Sequence, residues 1–232
     1  LVAFLGFLSL LSCSISLLKW VYSTFLRQPR NLEQYGSWAL VTGATDGIGK
    51  AFARQLAQEG LNLILVGRNP TKLDTVSSEI LAEFPDTKVK VVLFDFASKV
   101  SSSSSSATAG VEPIQEATKG LDVGVLINNV GITYPSAKFF HEVEENVWME
   151  MVRVNLEGTT RVTKAVLPGM VRRRRGAIVN VGSGAAVVVP SHPLFTIYAA
   201  TKASHHCPSL RPPWCSLQKK KTTEAPPSSI II

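Results

Sequence analysis

Thr42-Gly43-Ala44-Thr45-Asp46-Gly47-Ile48-Gly49 is the stretch on which the fold turns. A short apolar run, Trp38-Ala39-Leu40-Val41-Thr42, leads into it. Ile48 to Glu59 leaves it with helical periodicity through Ile48, Phe52, Leu56 and Ala57. A glycine-rich segment alone is weak evidence. Set between a buried strand and an amphipathic helix, it reads as a dinucleotide-binding loop. Gly43 makes the tight turn, Gly47 clears the approach of a diphosphate, and Gly49 lets helix and strand pack closely. The helix start adds free N–H groups and a positive dipole end. Thr45, Asp46 and Ile48 complete the loop and count with the glycines as cofactor-binding candidates.

Outward from the loop, Leu61 to Val66 reads as another buried strand, and Val89 to Phe94, Val123 to Ile127 and Ala177 to Val181 read as further strands. Thr71 to Phe84 reads as a helix, and Val143 to Val171 as largely helical. Near-continuous apolar strands alternating with helices predict a doubly wound parallel α/β sheet of the Rossmann type, a single domain over residues 36–204. Ligands of such sheets bind at the carboxyl ends of the strands. Three ends carry candidates. Arg68 stands where an NAD-specific site would place Asp or Glu, and a guanidinium there suits a 2′-phosphate, which points to NADPH. Asp95 could meet an adenine amino group. Asn128 closes the fourth strand ahead of Asn129-Val130-Gly131.

Tyr198 and Lys202 are four apart and share one face of a helix. A free tyrosine titrates near pH ~10, and a neighbouring ammonium favours its phenolate. A phenol so placed can give or take a proton at a carbonyl oxygen. Ser183, just after the fifth strand, can hydrogen-bond the same oxygen.

The ends of the chain differ from this middle. Leu1 to Leu18 carries no charge, then Lys19, Trp20, Tyr22, Arg27 and Arg30 follow. Residues 1–22 therefore read as a transmembrane anchor with the catalytic domain on the cytosolic side, and residues 23–35 as a linker. No small-x-small site follows the apolar run to mark a cleaved leader. Ser101 to Ser106 is a pure serine run, read as a flexible surface insertion. Residues 205–232, with Pro208, Pro212, Pro213, Pro226 and Pro227, read as a disordered, divergent tail. The net charge is +7, much of it in Arg172 to Arg175 and Lys219 to Lys221. Both runs read as solvated surface. Neither has the aromatic interleaving or zinc-finger spacing of a nucleic-acid binder, so no nucleic-acid partner is expected. Three cysteines make no disulfide framework and fit a reducing compartment. With His205 and His206 they match no zinc spacing, and no metal is expected.

In order and spacing, Thr42 to Gly49, Asn128 to Gly131, Asn155, Ser183, Tyr198 and Lys202 resemble the short-chain dehydrogenases/reductases from about Ser37 to Lys202. The resemblance implies that Tyr198 is the general acid in reduction and that Ser183 polarises the substrate carbonyl. It gives Lys202 the nicotinamide ribose, and Asn155 a water in a proton relay to Lys202. Tyr35-Gly36-Ser37-Trp38, Asp46 to Phe52, Gly60 to Val66, Phe139 to Val143 and Gly182 to Ala186 resemble more narrowly the membrane-bound very-long-chain 3-oxoacyl-CoA reductases, the plant enzymes above all. That likeness implies NADPH-dependent reduction of a long-chain 3-oxoacyl-CoA during fatty-acid elongation. It also implies an endoplasmic reticulum membrane location and contact with other elongase subunits. A related 17-beta-hydroxysteroid dehydrogenase activity is the alternative. Val130 departs from the usual Ala of the Asn-Asn-Ala-Gly motif. After Lys202 the family's helix, strands and substrate region give way to Pro208 and its successors. From this the C-terminal part is expected to be missing or replaced, and a catalytically inactive product is the reading from another class.

Overall fold

The computed structural model describes residues 2–26, 31–98, 110–187 and 193–204. The serine run and the tail from residue 205, on which expectations were placed, lie outside the described residues. The chain divides into two units, Leu1–Asn31 and Leu32–Ile232.

In the first unit, α1 (Val2–Val21) is a 20-residue helix, followed by a π-helical turn over Tyr22–Leu26. Phe4, Phe7, Leu10 and Leu17 are exposed along it. Among the described residues no helix is long and apolar enough to cross a membrane. The transmembrane span expected over residues 1–22 is therefore a helix but not a span of that standard. Ser9, Ser12, Ser14 and Ser16 interrupt its apolar run, and Lys19 closes it.

The second unit starts at Leu32, ahead of the boundary at residue 36 read from the sequence. Leu32–Tyr35 forms a 3-10 turn, and Tyr35 is buried in the core. Five strands follow: β1 (Trp38–Thr42), β2 (Asn62–Gly67), β3 (Val89–Leu93), β4 (Val123–Asn128) and β5 (Ala177–Asn180). They pair in parallel in the order β3-β2-β1-β4-β5, the doubly wound arrangement. Helices α2 (Gly47–Gln58), α3 (Pro70–Glu83) and α4 (Glu112–Thr118) make the first crossovers.

Side chains alternate between the two faces of the sheet, as strand pleating requires. Ala39, Val41, Leu63 and Leu65 turn to α2 and α3, where Ala53, Leu56, Leu73 and Ile80 meet them. Leu40, Ile64, Val66 and Leu126 turn to the opposite layer, against Ile114, Val162, Val166 and Met170. The strand expected from Val89 to Phe94 is present as β3, over Val89–Leu93. β3 is an edge strand on which Val91 and Leu93 are exposed and Val92 is buried.

The helical stretch expected over Val143 to Val171 is three pieces. α5 (Glu145–Met151) passes into a π-helical segment, Val152–Gly158, and then into α6 (Thr159–Arg173). The wider π turn changes the helix phase, so that both Val154 and Asn155 face inward. α6 ends at Arg174 in the left-handed conformation, φ 54°. The arginine run here is not simply solvated surface. Arg173 Nε and Arg175 Nη2 each stand 2.7 Å from a carboxylate oxygen of Asp122, and Arg173 Nη2 also donates to the Val123 carbonyl at 2.8 Å. Two of the four arginines thus tie the end of α6 to the start of β4, while Arg172 and Arg174 are exposed. Beyond β5 come α7 (Gly184–Val187) and α8 (Thr196–Ala203).

Candidate active site

The glycine loop closes the carboxyl end of β1. Gly43 has φ 65°, a conformation open to glycine at little cost. Its N–H donates to the Val66 carbonyl at 2.9 Å, so the loop is stitched to β2 as it turns. A Cβ on Gly49 would fall against the Gly43 carbonyl oxygen, which is why the helix can lie so close to the strand. A Cβ on Gly47 would meet nothing within 4 Å, so its backbone faces open space, as the approach of a diphosphate requires. Asp46 is the N-cap of α2 and accepts the Gly47 N–H at 2.8 Å. Lys72 Nζ lies 3.0 Å from the other carboxylate oxygen, and this hydrogen bond is the first cause of a pKa held below the usual carboxylate value.

A cleft of about 330 Å³ opens over these strand ends. Gly43, Thr45 and Ile48 line one side, Gly67 and Arg68 the next, and Asp95 and Gly131 the far wall. Arg68 and Asp95 are both exposed. Asp95 also accepts the Ala97 N–H at 3.0 Å, which fixes the turn after β3. Asn128 does something other than expected. It is buried, and its Nδ2 donates to Thr163 Oγ1 at 3.0 Å and to Asn180 Oδ1 at 2.9 Å. It braces β4 against α6 and β5 and does not line the cleft. Asn129 lines it instead. Its Nδ2 donates to the carbonyls of Thr42 and Gly43, each at 3.1 Å, and its N–H donates to Thr42 Oγ1 at 3.0 Å.

The residues expected to do chemistry gather around α8. Tyr198 is half-buried and Lys202 is 4% exposed, on one face of the helix. Lys202 Nζ donates to the Val181 carbonyl at 3.1 Å, which draws α8 against the chain two residues before Ser183. Burial pushes the Lys202 ammonium's pKa below its ordinary value. α7 packs on α8, and Ser183 Oγ accepts the Ala185 N–H at 3.2 Å. Asn155 is fully buried. Its Oδ1 accepts the Ile132 N–H at 2.8 Å, and its Nδ2 donates to the Ile132 carbonyl at 2.9 Å and to Thr201 Oγ1 at 3.0 Å. It is a strut between the loop after β4 and α8.

The two groups meet at Gly131. This residue lines the cleft, and a Cβ built on it would lie 2.8 Å from Lys202 Nζ and 3.4 Å from Asn155 Oδ1. The buried ammonium therefore reaches the wall of the cleft. Thr201 is a part of this architecture that the sequence reading did not single out, and Thr42 and Asn129, quoted there within their motifs, were given no role of their own. For Thr201 the available signal was its place between Tyr198 and Lys202. For Thr42 and Asn129 it was their position at strand ends. Tyr134, buried, accepts the Ile197 N–H at 3.0 Å and so holds the first turn of α8. No feature of its local sequence announces that contact.

Residues 37–207 match the family model for the short chain dehydrogenase. A very-long-chain 3-oxoacyl-CoA reductase-like protein of Arabidopsis thaliana is 58% identical over 203 residues, covering 87% of this chain and 62% of that protein. Inactive hydroxysteroid dehydrogenase-like protein 1 of Homo sapiens is 41% identical over 172 residues, 74% of this chain and 49% of that protein. Among solved structures, a short-chain dehydrogenase from Sphingobium yanoikuyae in complex with NADPH superposes with a TM-score of 0.62 at 28% identity, over 72% of this chain and 60% of that one. The chain thus spans between about half and about three fifths of the length of these proteins.

Proposed function

The chain belongs to the short-chain dehydrogenases, and from that premise we propose that it reduces a long- or very-long-chain 3-oxoacyl-CoA to the 3-hydroxyacyl-CoA with NADPH. The observation that carries the reading is the meeting at Gly131 of a cleft lined by Arg68 with a buried Lys202 that shares a helix face with Tyr198. The bare backbone at Gly47 and Gly131 and the guanidinium of Arg68 fit a phosphorylated dinucleotide. Thr45 and Gly47 would face its diphosphate, Arg68 its 2′-phosphate and Asp95 its adenine. When bound, such a cofactor supplies the hydride.

The chain's own groups handle the oxygen. Tyr198 gives its phenolic proton to the substrate carbonyl oxygen, and the Ser183 hydroxyl donates a hydrogen bond to the same atom. Lys202 offsets the charge left on the Tyr198 oxygen. Asn155 keeps α8 in register with the cleft wall through Ile132 and Thr201. The acyl-CoA substrate is favoured by the name of the Arabidopsis relative. A hydroxysteroid is the second reading, favoured by the human relative. That relative is named inactive, so likeness to the family does not by itself carry turnover. The proposal rests on Tyr198, Lys202 and Ser183.

The exposed apolar side chains of α1, its lack of any acidic residue and the basic Lys19, Arg27 and Arg30 support attachment to a membrane. We place the catalytic unit on the cytosolic side of the endoplasmic reticulum, within reach of other elongase subunits. Carbonate extraction should leave the chain in the membrane pellet, and protease outside sealed microsomes should digest the reductase unit. Recovery in the soluble fraction would overturn the anchor. For the chemistry, NADPH oxidation is followed with a long-chain 3-oxoacyl-CoA and with a ketosteroid. Tyr198→Phe should lower turnover about 10²–10⁴-fold while NADPH still binds. Turnover of the steroid alone, or turnover indifferent to Tyr198, would refute the reading.

A further inference from the structure

We propose that Lys72, through its pairing with Asp46, is a specificity-determining residue that lets an acidic glycine loop accept a 2′-phosphorylated cofactor. The inference rests on the NADPH reading above and adds to it a residue outside the cleft lining. Its starting point is a conflict. Asp46 caps α2 through the Gly47 N–H and so belongs to the loop. Yet a carboxylate beside a phosphate site repels the ligand. The structure shows where its charge is directed. Asp46 is not among the residues lining the cleft. Its Oδ2 is turned to α3, 3.0 Å from Lys72 Nζ.

That is the side on which Arg68 stands. β2 and the glycine loop touch there, since a Cβ on Gly67 would lie 2.8 Å from Thr45 Cγ2. Asn69 caps α3 and accepts the Lys72 N–H at 3.0 Å, so Lys72 sits on the turn that follows Arg68 directly. Lys50 is the other cation near Asp46, but its Nζ is 2.6 Å from Glu79. Lys72 is thus the cation committed to Asp46. Paired, the two contribute little net charge beside the guanidinium. Unpaired, Asp46 would present a full negative charge to a 2′-phosphate. The diphosphate is common to NADPH and NADH, so repulsion from Asp46 at that group weakens both ligands alike. The difference between the two ligands therefore reports the 2′-phosphate that distinguishes NADPH from NADH.

The magnitude follows from Coulomb's law. One charge facing a doubly charged phosphate at about 8 Å in a water-like dielectric changes affinity about fivefold. The test measures dissociation constants of the full chain for NADPH, NADH and 2′,5′-ADP by calorimetry, for wild type, Lys72→Met, Asp46→Asn and the double variant. Asn caps a helix nearly as well as Asp, so Asp46→Asn preserves the loop. Lys72→Met should weaken NADPH and 2′,5′-ADP about fivefold and NADH less than about twofold. Asp46→Asn should tighten the phosphorylated ligands by a similar factor, and the double variant should return near wild type. High salt should shrink each difference. A double variant as weak as Lys72→Met, or equal losses for NADPH and NADH, would overturn the inference while leaving the NADPH reading intact. A wild type that binds NADPH and NADH equally would overturn both, and Arg68→Ala tells that case apart by changing neither ligand.

Discussion

The two sides of the candidate site are rigid for different reasons. The glycine loop is held by backbone against backbone. Gly43 and Ala44 donate to the Val66 carbonyl, and Gly49 lies against the Gly43 carbonyl with no room for a side chain. The catalytic side is held by buried polar side chains reaching across the fold. Asn155 ties Ile132 to Thr201, Tyr134 holds Ile197, and Lys202 holds Val181. Backbone packing tolerates no added atom but is indifferent to most changes elsewhere. A network of struts fails when any one member loses its partner. The two sides should therefore break differently.

The largest effect is expected on the loop. Gly49→Ala puts a methyl group against a backbone carbonyl that no rotamer can move, so β1 and α2 must part. We expect a loss of about 2–4 kcal/mol in urea unfolding together with loss of dinucleotide binding. Near-wild-type stability would mean that the loop is softer than its close contacts indicate. On the other side, Asn155→Ala leaves the Ile132 N–H and carbonyl and the Thr201 hydroxyl without that partner. The cost should be about 2–3 kcal/mol. The signature distinguishes it from the loop variant. NADPH affinity should survive while turnover falls, and hydrogen exchange should quicken at Ile132 and in α8 first. Equal loss of cofactor binding in both variants would erase the contrast drawn here.

The same contrast explains what could be read in advance. Glycine spacing between a strand and a helix is a local pattern, and so are the apolar strands and the Tyr198–Lys202 interval. The doubly wound parallel sheet followed from them. The part that escaped is the part assembled from afar. Asn128 and Asn129 are adjacent, and composition cannot say which faces the cleft. The register of β4 decides it, turning Asn128 into a brace and Asn129 to the loop. The π turn at Val152–Gly158 is likewise invisible to a 3.6-residue period, though it sets which way Asn155 points. The arginine run misled because a charge cluster looks solvated until Asp122, far off in sequence, is placed beside it. β3 is largely apolar like the central strands, and only its edge position, which composition does not give, leaves Val91 and Leu93 uncovered.

A smaller effect sharpens the comparison at the cleft. Arg68 is exposed and contributes through charge and hydrogen bonding to a phosphate. Arg68→Ala should weaken NADPH about tenfold, close to 1.4 kcal/mol, and leave both NADH affinity and stability nearly unchanged. An equal loss for both nucleotides would assign Arg68 to the diphosphate instead.

The least intuitive change in stability is expected at Lys202. Lys202 is buried, and it is charged for a catalytic reason rather than a structural one. Desolvation pushes its pKa below the ordinary lysine value, because the ammonium is better solvated in the unfolded chain. Between the lowered folded value and the ordinary lysine value of 10.5, the unfolded chain binds more protons. The sign follows: stability should rise with pH across that window, as the buried ammonium gives up its proton. Lys202→Met keeps the volume of the stem and removes the charge. Its urea unfolding midpoint at pH 7 should be unchanged or raised by the equivalent of at most about 1 kcal/mol, and the pH-dependent rise attributed to Lys202 should disappear. Turnover should be lost in the same variant. This sets Lys202 apart from Asn155, whose removal should cost both stability and turnover. A Lys202→Met chain destabilised by more than about 1 kcal/mol would mean that the hydrogen bond to Val181 outweighs the desolvation, and that the ammonium is a strut like the others.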